Sequence, residues 1–121
     1  MFAPIFALLN NDAGVAALLG AGDDMRLYPI EADQGTPLPY AVINQIGGPT
    51  ENQLSGAATT DRYLIQIDCY AKRLTEARNV AAAIRAAVEV HADVTDIGRE
   101  SRDPKTRHFG YQFDIEWLIA N

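Results

Sequence analysis

The sequence predicts an α+β fold in which a mixed, mainly antiparallel sheet of about four or five strands carries its helices on one face. Segments with helical spacing of apolar residues lie at the start and in the middle of the chain, and segments with alternating apolar residues lie between and after them. The predicted order is a helical region, three strands, a helix and two strands. With 121 residues, of which 48% are hydrophobic, the chain is expected to form one domain over residues 1–121.

The N-terminal segment predicts two short helices. Pro4 suits a first helical turn, and apolar residues follow it at helical spacing. Asn11 or Asp12 can cap the second helix, which is expected to end at Gly20. The opening apolar run lacks a basic region and is cut short by polar residues, so we expect neither export nor a membrane span.

The next segment predicts two strands joined by an extended linker. Residues 25–28 are expected to form a short strand that ends at Pro29. Pro37 and Pro39 favour extended backbone before a second strand over residues 40–46. Both faces of this second strand carry apolar residues, which indicates that both are at least partly covered.

The middle of the chain predicts a well-patterned strand followed by a helix. In the strand over residues 61–71, one face is apolar and consists of Tyr63, Ile65, Ile67 and Cys69. Leu64 and Tyr70 are apolar exceptions on the opposite, polar face. Thr75 is the expected N-cap of a helix that runs to about residue 90 and packs an alanine-rich stripe on the sheet.

The C-terminal part predicts a short strand over residues 94–98, a charged hairpin over residues 99–107 and a long last strand. Every second residue of this last strand is apolar, in the series Phe109, Tyr111, Phe113, Ile115, Trp117 and Ile119. An unbroken apolar face of this length predicts that the last strand lies at the centre of the core.

The residues that could carry chemistry form no convincing active site. Cys69 is the only cysteine, so no intrachain disulfide can form, and its place on an apolar strand face predicts a buried, inert thiol. His91, Asp93 and Asp96 could be read as metal ligands, but a solvated helix exit is the favoured interpretation because no second histidine is near. We expect no metal, no cofactor and no catalytic residue.

Two segments predict surfaces for contact. The connection over residues 47–60 is much longer than the two to five residues that usually join neighbouring strands, and it is either a disordered tip or a binding element. The second segment is a cationic hairpin with Arg99, Arg102, Lys105 and Arg107. Nucleic acid is a poor match, since acids interrupt the basic residues and no aromatic residue is interleaved. An ordinary soluble hairpin and a subunit contact remain open.

Charge is distributed unevenly, with seven acids and one base in residues 1–61 and nine of each in residues 62–121. The cationic hairpin could therefore meet the acidic half of a neighbouring copy in a head-to-tail ring. Three further acids, Asp68, Asp114 and Glu116, lie on the polar faces of predicted core strands. A solvated acidic face is favoured for them over a paired-carboxylate enzyme site.

Several motifs in the same order resemble the tail completion or tail terminator proteins of long-tailed bacteriophages and related prophages. The motifs are V-x-A-L-L-G at residues 15–20, R-[IL]-Y-P at 26–29, Q-G-x-x-[LF]-P-Y-[AV]-V at 34–42, I-Q-[IV]-D-x-[YW] at 65–70 and E-A-R at 76–78. The similarity extends over about residues 7–90, and the C-terminal part is similar only in kind. None of these motifs is catalytic.

The resemblance implies a structural virion protein and no enzyme. Members of this family form a ring, typically a hexamer, that caps the tail tube, stops its growth and meets the head connector at the head–tail junction. The expected partners are further copies of the chain, the tail tube protein and the connector protein, with assembly in the host cytoplasm and no membrane. DNA would pass through the channel without specific binding, which an acidic lumen would favour because carboxylates repel phosphate.

On this reading, we expect two groups of contact residues and one group of candidate lumen-facing acids. The tube or a neighbouring subunit would meet Glu51, Asn52, Gln53, Leu54 and Ser55. A neighbour or the connector would meet Arg99, Arg102, Lys105 and Arg107, and the lumen would be lined by Asp68, Asp114 and Glu116. The alternatives are a small cytoplasmic dimeric binding or sensor domain and, less favoured, a carboxylate-based enzyme.

Overall fold

The computed structural model describes residues 3–48, 50–51 and 60–120, with the side chains of residues 50, 51 and 120 left aside. Its elements in chain order are α1 (Ile5–Asn10), α2 (Ala13–Leu19), a 3₁₀ turn (Gly22–Asp24), β1 (Leu27–Pro29), β2 (Tyr40–Gly47), β3 (Thr50–Glu51), β4 (Thr60–Ala71), α3 (Leu74–Val88), β5 (Asp93–Arg102) and β6 (Phe109–Ala120). Among these described residues, no helix is long and apolar enough to cross a membrane.

The strands form one mixed sheet in the order β1-β2-β4-β6-β5, and β3 also pairs with β4. Only β1 and β2 are parallel, while the pairs β2–β4, β3–β4, β4–β6 and β5–β6 are antiparallel. The ladder between β4 and β6 extends from Thr60 opposite Ala120 to Ala71 opposite Phe109. The predicted α+β class, the mainly antiparallel sheet and the interior place of the last strand are therefore confirmed.

All three helices lie on one face of the sheet. Helix α3 packs on β4 and β6, and α1 and α2 pack on α3. The sheet residues beneath them are the predicted apolar set, namely Tyr63, Ile65, Ile67, Cys69, Phe113, Ile115 and Trp117, and all are buried. We call this side the helix face and the opposite side, which no described helix covers, the open face.

The start of α2 is fixed by the predicted cap. The Asp12 carboxylate accepts a hydrogen bond from the Val15 amide at 2.9 Å, which satisfies one of the unpaired N–H groups at the helix start. The helix ends at Gly20, as predicted. Pro4, by contrast, lies immediately before α1 rather than in its first turn, because its carbonyl already accepts a hydrogen bond from the Leu8 amide.

Three predicted boundaries were wrong. Helix α3 begins at Leu74 with Arg73 as its N-cap, because Arg73 has extended backbone while its carbonyl accepts a hydrogen bond from the Ala77 amide. Thr75 thus lies inside the first turn, and the helix ends at Val88 rather than near residue 90. The strand β1 begins at Leu27, two residues later than predicted.

The fourth correction concerns the cationic hairpin. The strand predicted over residues 94–98 extends from Asp93 to Arg102, because pairing with the long strand β6 continues to Phe109. The turn is confined to residues 103–108. The Asp103 carboxylate closes it by accepting hydrogen bonds from the Lys105 and Thr106 amides at 2.7 and 3.0 Å.

Candidate interaction surfaces

The β2–β4 hairpin extends through β3, and the two β4 residues opposite β3, Thr60 and Asp61, also pair with β6. Its ladder has a register irregularity between Gln45 and Gly47, and pairing then resumes as β3, with Thr50 opposite Asp61 and Glu51 opposite Thr60. Just after the irregularity, Gly48 has φ +142°, and a Cβ atom there would lie 1.7 Å from the Arg62 carbonyl oxygen. The backbones approach so closely that only glycine fits.

Part of the predicted contact loop is therefore strand. Glu51 lies in β3, opposite Thr60. Asn52, Gln53, Leu54 and Ser55 lie outside the described residues. The chain does pass from β2 to the antiparallel β4 in this region, but the predicted bounds of 47–60 are corrected, because Gly47 belongs to β2, Thr60 to β4 and residues 50–51 to β3.

The four predicted cations of the hairpin fall into two pairs. Arg99 and Arg102 belong to β5, whereas Lys105 and Arg107 are exposed in the turn. The Arg99 guanidinium donates to the Asp96 carboxylate and, at 3.1 and 2.6 Å, to the Gln112 side-chain oxygen.

Arg102 is held in a different way. Its guanidinium carbon lies 4.6 Å from the centre of the Phe109 ring, and its Nε donates to the Arg107 carbonyl at 3.3 Å. The two strand arginines thus bind within their own chain. Lys105 and Arg107 are exposed in the turn.

The three candidate lumen-facing acids share the open face, as their alternation predicted. Glu116 Oε1 lies 3.7 Å from Arg62 Nε, and Asp114 Oδ1 lies 3.8 Å from Arg99 Nη2. In the sheet register Asp68 lies opposite Gln112 on β6. Two of the acids are therefore paired with arginines of neighbouring strands, and the open face is not the uniformly acidic surface that the sequence suggested.

Asp68 differs from the other two acids. It is 9% exposed, and both of its carboxylate oxygens lie 3.2 Å from Nε2 of Gln66. Within the described residues it is the one buried charged side chain, and no arginine or lysine pairs with it there.

A cleft of about 510 Å³ opens where Asp68 lies, at one end of the open face. Its floor consists of Tyr40, Val42, Asp68 and Tyr70, and its walls are the linker over residues 30–38 and the β5–β6 turn. The rings of Tyr40 and Tyr70 lie 5.2 Å apart at 36°. We call this feature the tyrosine cleft.

The environment of the tyrosine cleft affects its titratable groups. Burial raises the pKa of Tyr70, and the nearby Asp68 carboxylate raises it further. Burial also raises the pKa of Tyr40, with a smaller effect from Asp103. Backbone hydrogen bonds from Thr106 and Lys105 lower the pKa of Asp103. Both tyrosines therefore remain neutral hydrogen-bonding and stacking groups at physiological pH.

Sequence reasoning missed this cleft. Its walls come from two segments about seventy residues apart, and no local pattern joins them. The one available signal was Tyr70, an aromatic residue on the otherwise polar face of β4.

The residues considered for other chemistry have structural roles. Cys69 is fully buried, as predicted, and burial strongly raises the pKa of its thiol. The His91 ring stacks on Trp117, with ring centres 5.9 Å apart and planes 2° from parallel. Among the described residues, no three histidine, cysteine, aspartate or glutamate side chains are grouped to hold a metal ion.

Among the described residues, the prominent surface features of this α+β domain are thus the β2–β4 hairpin, a cationic turn and a cleft on the open face. The comparisons give the family. The model for "Tail completion protein gp17" matches residues 3–120, and the chain belongs to this family of structural proteins of phage tails. The resemblance found in the sequence motifs is confirmed.

Comparison with solved structures gives the same fold. A chain of the structure described as "Virion of native gene transfer agent (GTA) particle" superposes with a TM-score of 0.67. The alignment covers 97% of this chain and 92% of that chain at 17% sequence identity, so the likeness is one of fold. Comparison with curated proteins gave no match.

Proposed function

We propose that the protein is a tail terminator subunit that assembles into a ring, with six copies as in the resemblance noted above, on the end of the tail tube. The ring stops growth of the tube and joins it to the head connector, so that the subunit lies at the head–tail junction of the virion after assembly in the host cytoplasm. Membership of the tail completion family supports this proposal.

The β2–β4 hairpin is the observation that carries the proposal. Pairing of β3 with β4 continues the hairpin past the irregularity between Gln45 and Gly47, so this part of the hairpin is held by strand pairing. A hairpin held in this way can place its tip against the tail tube or an adjacent subunit. In this proposal Glu51 and residues 52–55 make that contact.

The cationic turn supplies the second contact. Lys105 and Arg107 are exposed, and their charges are available to an acidic surface of a neighbour or of the connector. Arg99 and Arg102 act mainly by fixing β5 to β6, since their guanidinium groups already bind within the chain. Loss of Lys105 and Arg107 should therefore weaken assembly more than the fold.

The open face is proposed to line the channel. DNA would slide past Asp114 and Glu116 without specific binding, because carboxylates repel phosphate. Asp68, the third predicted acid, lies buried on the floor of the tyrosine cleft and would contribute less to this repulsion. The arginines beside Asp114 and Glu116 reduce this repulsion.

The first experiment measures the mass of the purified protein by light scattering, together with negative-stain images of the same fraction. A six-fold ring with an open centre supports the proposal. If the protein is a monomer, tail tubes of the same phage are added, and recruitment to tube ends gives the same support. A compact dimer that does not bind to the tubes would instead favour the alternative of a dimeric binding or sensor domain.

The second experiment deletes residues 51–58. The control replaces the same residues with a glycine–serine segment of equal length, which preserves the spacing of β3 and β4 but removes the tip side chains. Both variants should keep the circular dichroism spectrum of the parent protein and fail to cap tails. Tails of normal length that are joined to heads in either variant would refute the proposed role of the hairpin tip.

A further inference from the structure

We infer that the tyrosine cleft is a receptor for an arginine side chain presented by a partner protein of a different sequence. The inference goes beyond the proposed ring function and does not depend on it, because it concerns a site within a single copy of the chain. Its three parts are the charge of the cleft, the buried carboxylate on its floor and the tyrosine pair beside that carboxylate.

The lining of the tyrosine cleft is strongly acidic. Four carboxylates line it, from Glu31, Asp33, Asp68 and Asp103, and no lysine or arginine does so among the described residues. The remaining ionisable groups of the lining are the two tyrosines and His108. A cleft of this charge repels phosphate and attracts cations.

The carboxylate on the floor has unused hydrogen-bonding capacity. Asp68 is more than nine-tenths buried, and the Gln66 amide nitrogen is its hydrogen-bond donor within the described part of the chain. An ionised carboxylate offers about four lone-pair sites, so the Gln66 donor at 3.2 Å leaves acceptor sites of Asp68 free. A cationic donor that enters the cleft can bond to these free acceptor sites.

The tyrosines select among cations. The rings of Tyr40 and Tyr70, 5.2 Å apart, present aromatic surface next to the Asp68 carboxylate. A guanidinium group is planar, stacks on aromatic rings and donates two parallel hydrogen bonds to a carboxylate. Ile30, which is 76% exposed on the wall of the cleft, adds apolar surface for the aliphatic stem of such a side chain. Arginine therefore matches the lining better than lysine.

The test uses a minimal probe on the intact chain. N-acetyl-glycyl-arginyl-glycine amide is titrated into the ¹⁵N-labelled protein at low salt, and the backbone shifts of Val42 and Tyr70 are followed by NMR. The control peptide carries citrulline, which has nearly the same shape without the charge. We expect a saturable shift with the arginine peptide and at least about tenfold weaker binding of the citrulline peptide. Equal responses to the two peptides would overturn the inference.

A pair of variants locates the site. Asp68→Asn removes the buried charge with little change in shape and should weaken binding of the arginine peptide by about tenfold or more. Asp114→Asn is the matched control, because this carboxylate lies on the same open face but outside the cleft. It should leave the affinity within about twofold. An unchanged affinity in Asp68→Asn, or an equal loss in both variants, would contradict a site in the cleft.

A second variant guards against misfolding of Asp68→Asn. Glu31→Gln combined with Asp33→Asn changes two exposed wall residues and should weaken binding severalfold through the loss of charge alone. Full retention of affinity in this double variant would count against the inference.

Light scattering over a series of protein concentrations tests whether the cleft is occupied by a second copy of this chain rather than by a different protein. A mass that rises with protein concentration in the parent chain, but not in Asp68→Asn, would mean that a second copy of this chain enters the cleft. That result would overturn the assignment to a different partner protein.

Discussion

The two faces of the sheet differ in the kind of side chain that they carry and in how those side chains interact. On the helix face, Ile67, Phe113 and Ile115 are buried by α3, and each is apolar. On the open face, the same strands carry charged and amide side chains that pair across strands, as Arg62 does with Glu116. The comparison shows that burial of apolar side chains stabilises one face, whereas polar side chains of the other pair with one another across strands.

The largest expected effect is on the helix face. Phe113→Ala removes a ring that is 1% exposed beneath α3 and should lower the free energy of unfolding by about 3–5 kcal/mol. Leu118→Ala is the matched control on β6, because Leu118 is 48% exposed on the open face and should cost less than about 1 kcal/mol. Urea unfolding measures both. Similar losses would show that the two faces do not differ as described.

The next effect concerns Gly48, between β2 and β3. Gly48→Ala would place a Cβ atom against the Arg62 carbonyl, so the backbone must move. Gly35→Ala also has a positive φ, but its Cβ would meet no atom within 4 Å. We expect Gly48→Ala to cost about 1–3 kcal/mol more than Gly35→Ala in thermal unfolding. Equal costs would mean that the close approach at Gly48 is not required.

A smaller loss of stability is expected at Cys69, whose neighbour in β4 faces the other side of the sheet. Cys69 faces α3 while Asp68 faces the cleft, although they are neighbours in sequence. Cys69→Ser introduces a hydroxyl group into an apolar site and should lower the free energy of unfolding by about 1–3 kcal/mol. Cys69→Ala, which adds no polar group, is the control. A serine variant as stable as the alanine variant would show that the hydroxyl finds a partner.

The smallest effect lies on the open face. A double-mutant cycle with Arg99→Gln and Asp114→Asn should give a coupling energy of about 0.2–1 kcal/mol, because the Arg99 side chain is 49% exposed. The coupling should fall at 1 M salt, where charges are screened over about 3 Å. A coupling that is larger and insensitive to salt would mean that the open face is more deeply buried in solution than this structure describes.

Much of the fold could be predicted because the spacing of apolar residues shows which side of each strand or helix is buried. The alternation in β4 and β6 identified the helix face, and Asp12 and Gly20 marked the ends of α2. The errors occurred at ends of elements. The end of β5 was misplaced because Arg99 and Arg102 look like loop residues, whereas pairing with β6 holds them in a strand.

The candidate sites were predicted less well, for a physical reason. The sequence identified Lys105 and Arg107 as exposed cations, and the family motifs identified the class of protein. It could not give the pairing of Glu116 with Arg62, since that depends on the register between β4 and β6.

By itself, the sequence determined which strand faces are apolar, where the main helix lies and to which family the chain belongs. Only the tertiary structure decided which charges neutralise one another and that a linker and a distant turn enclose the tyrosine cleft around Asp68. Local patterns reflect the solvent exposure of each segment, whereas these features arise from contacts between segments far apart in the chain, whose geometry is fixed only when the whole sheet assembles.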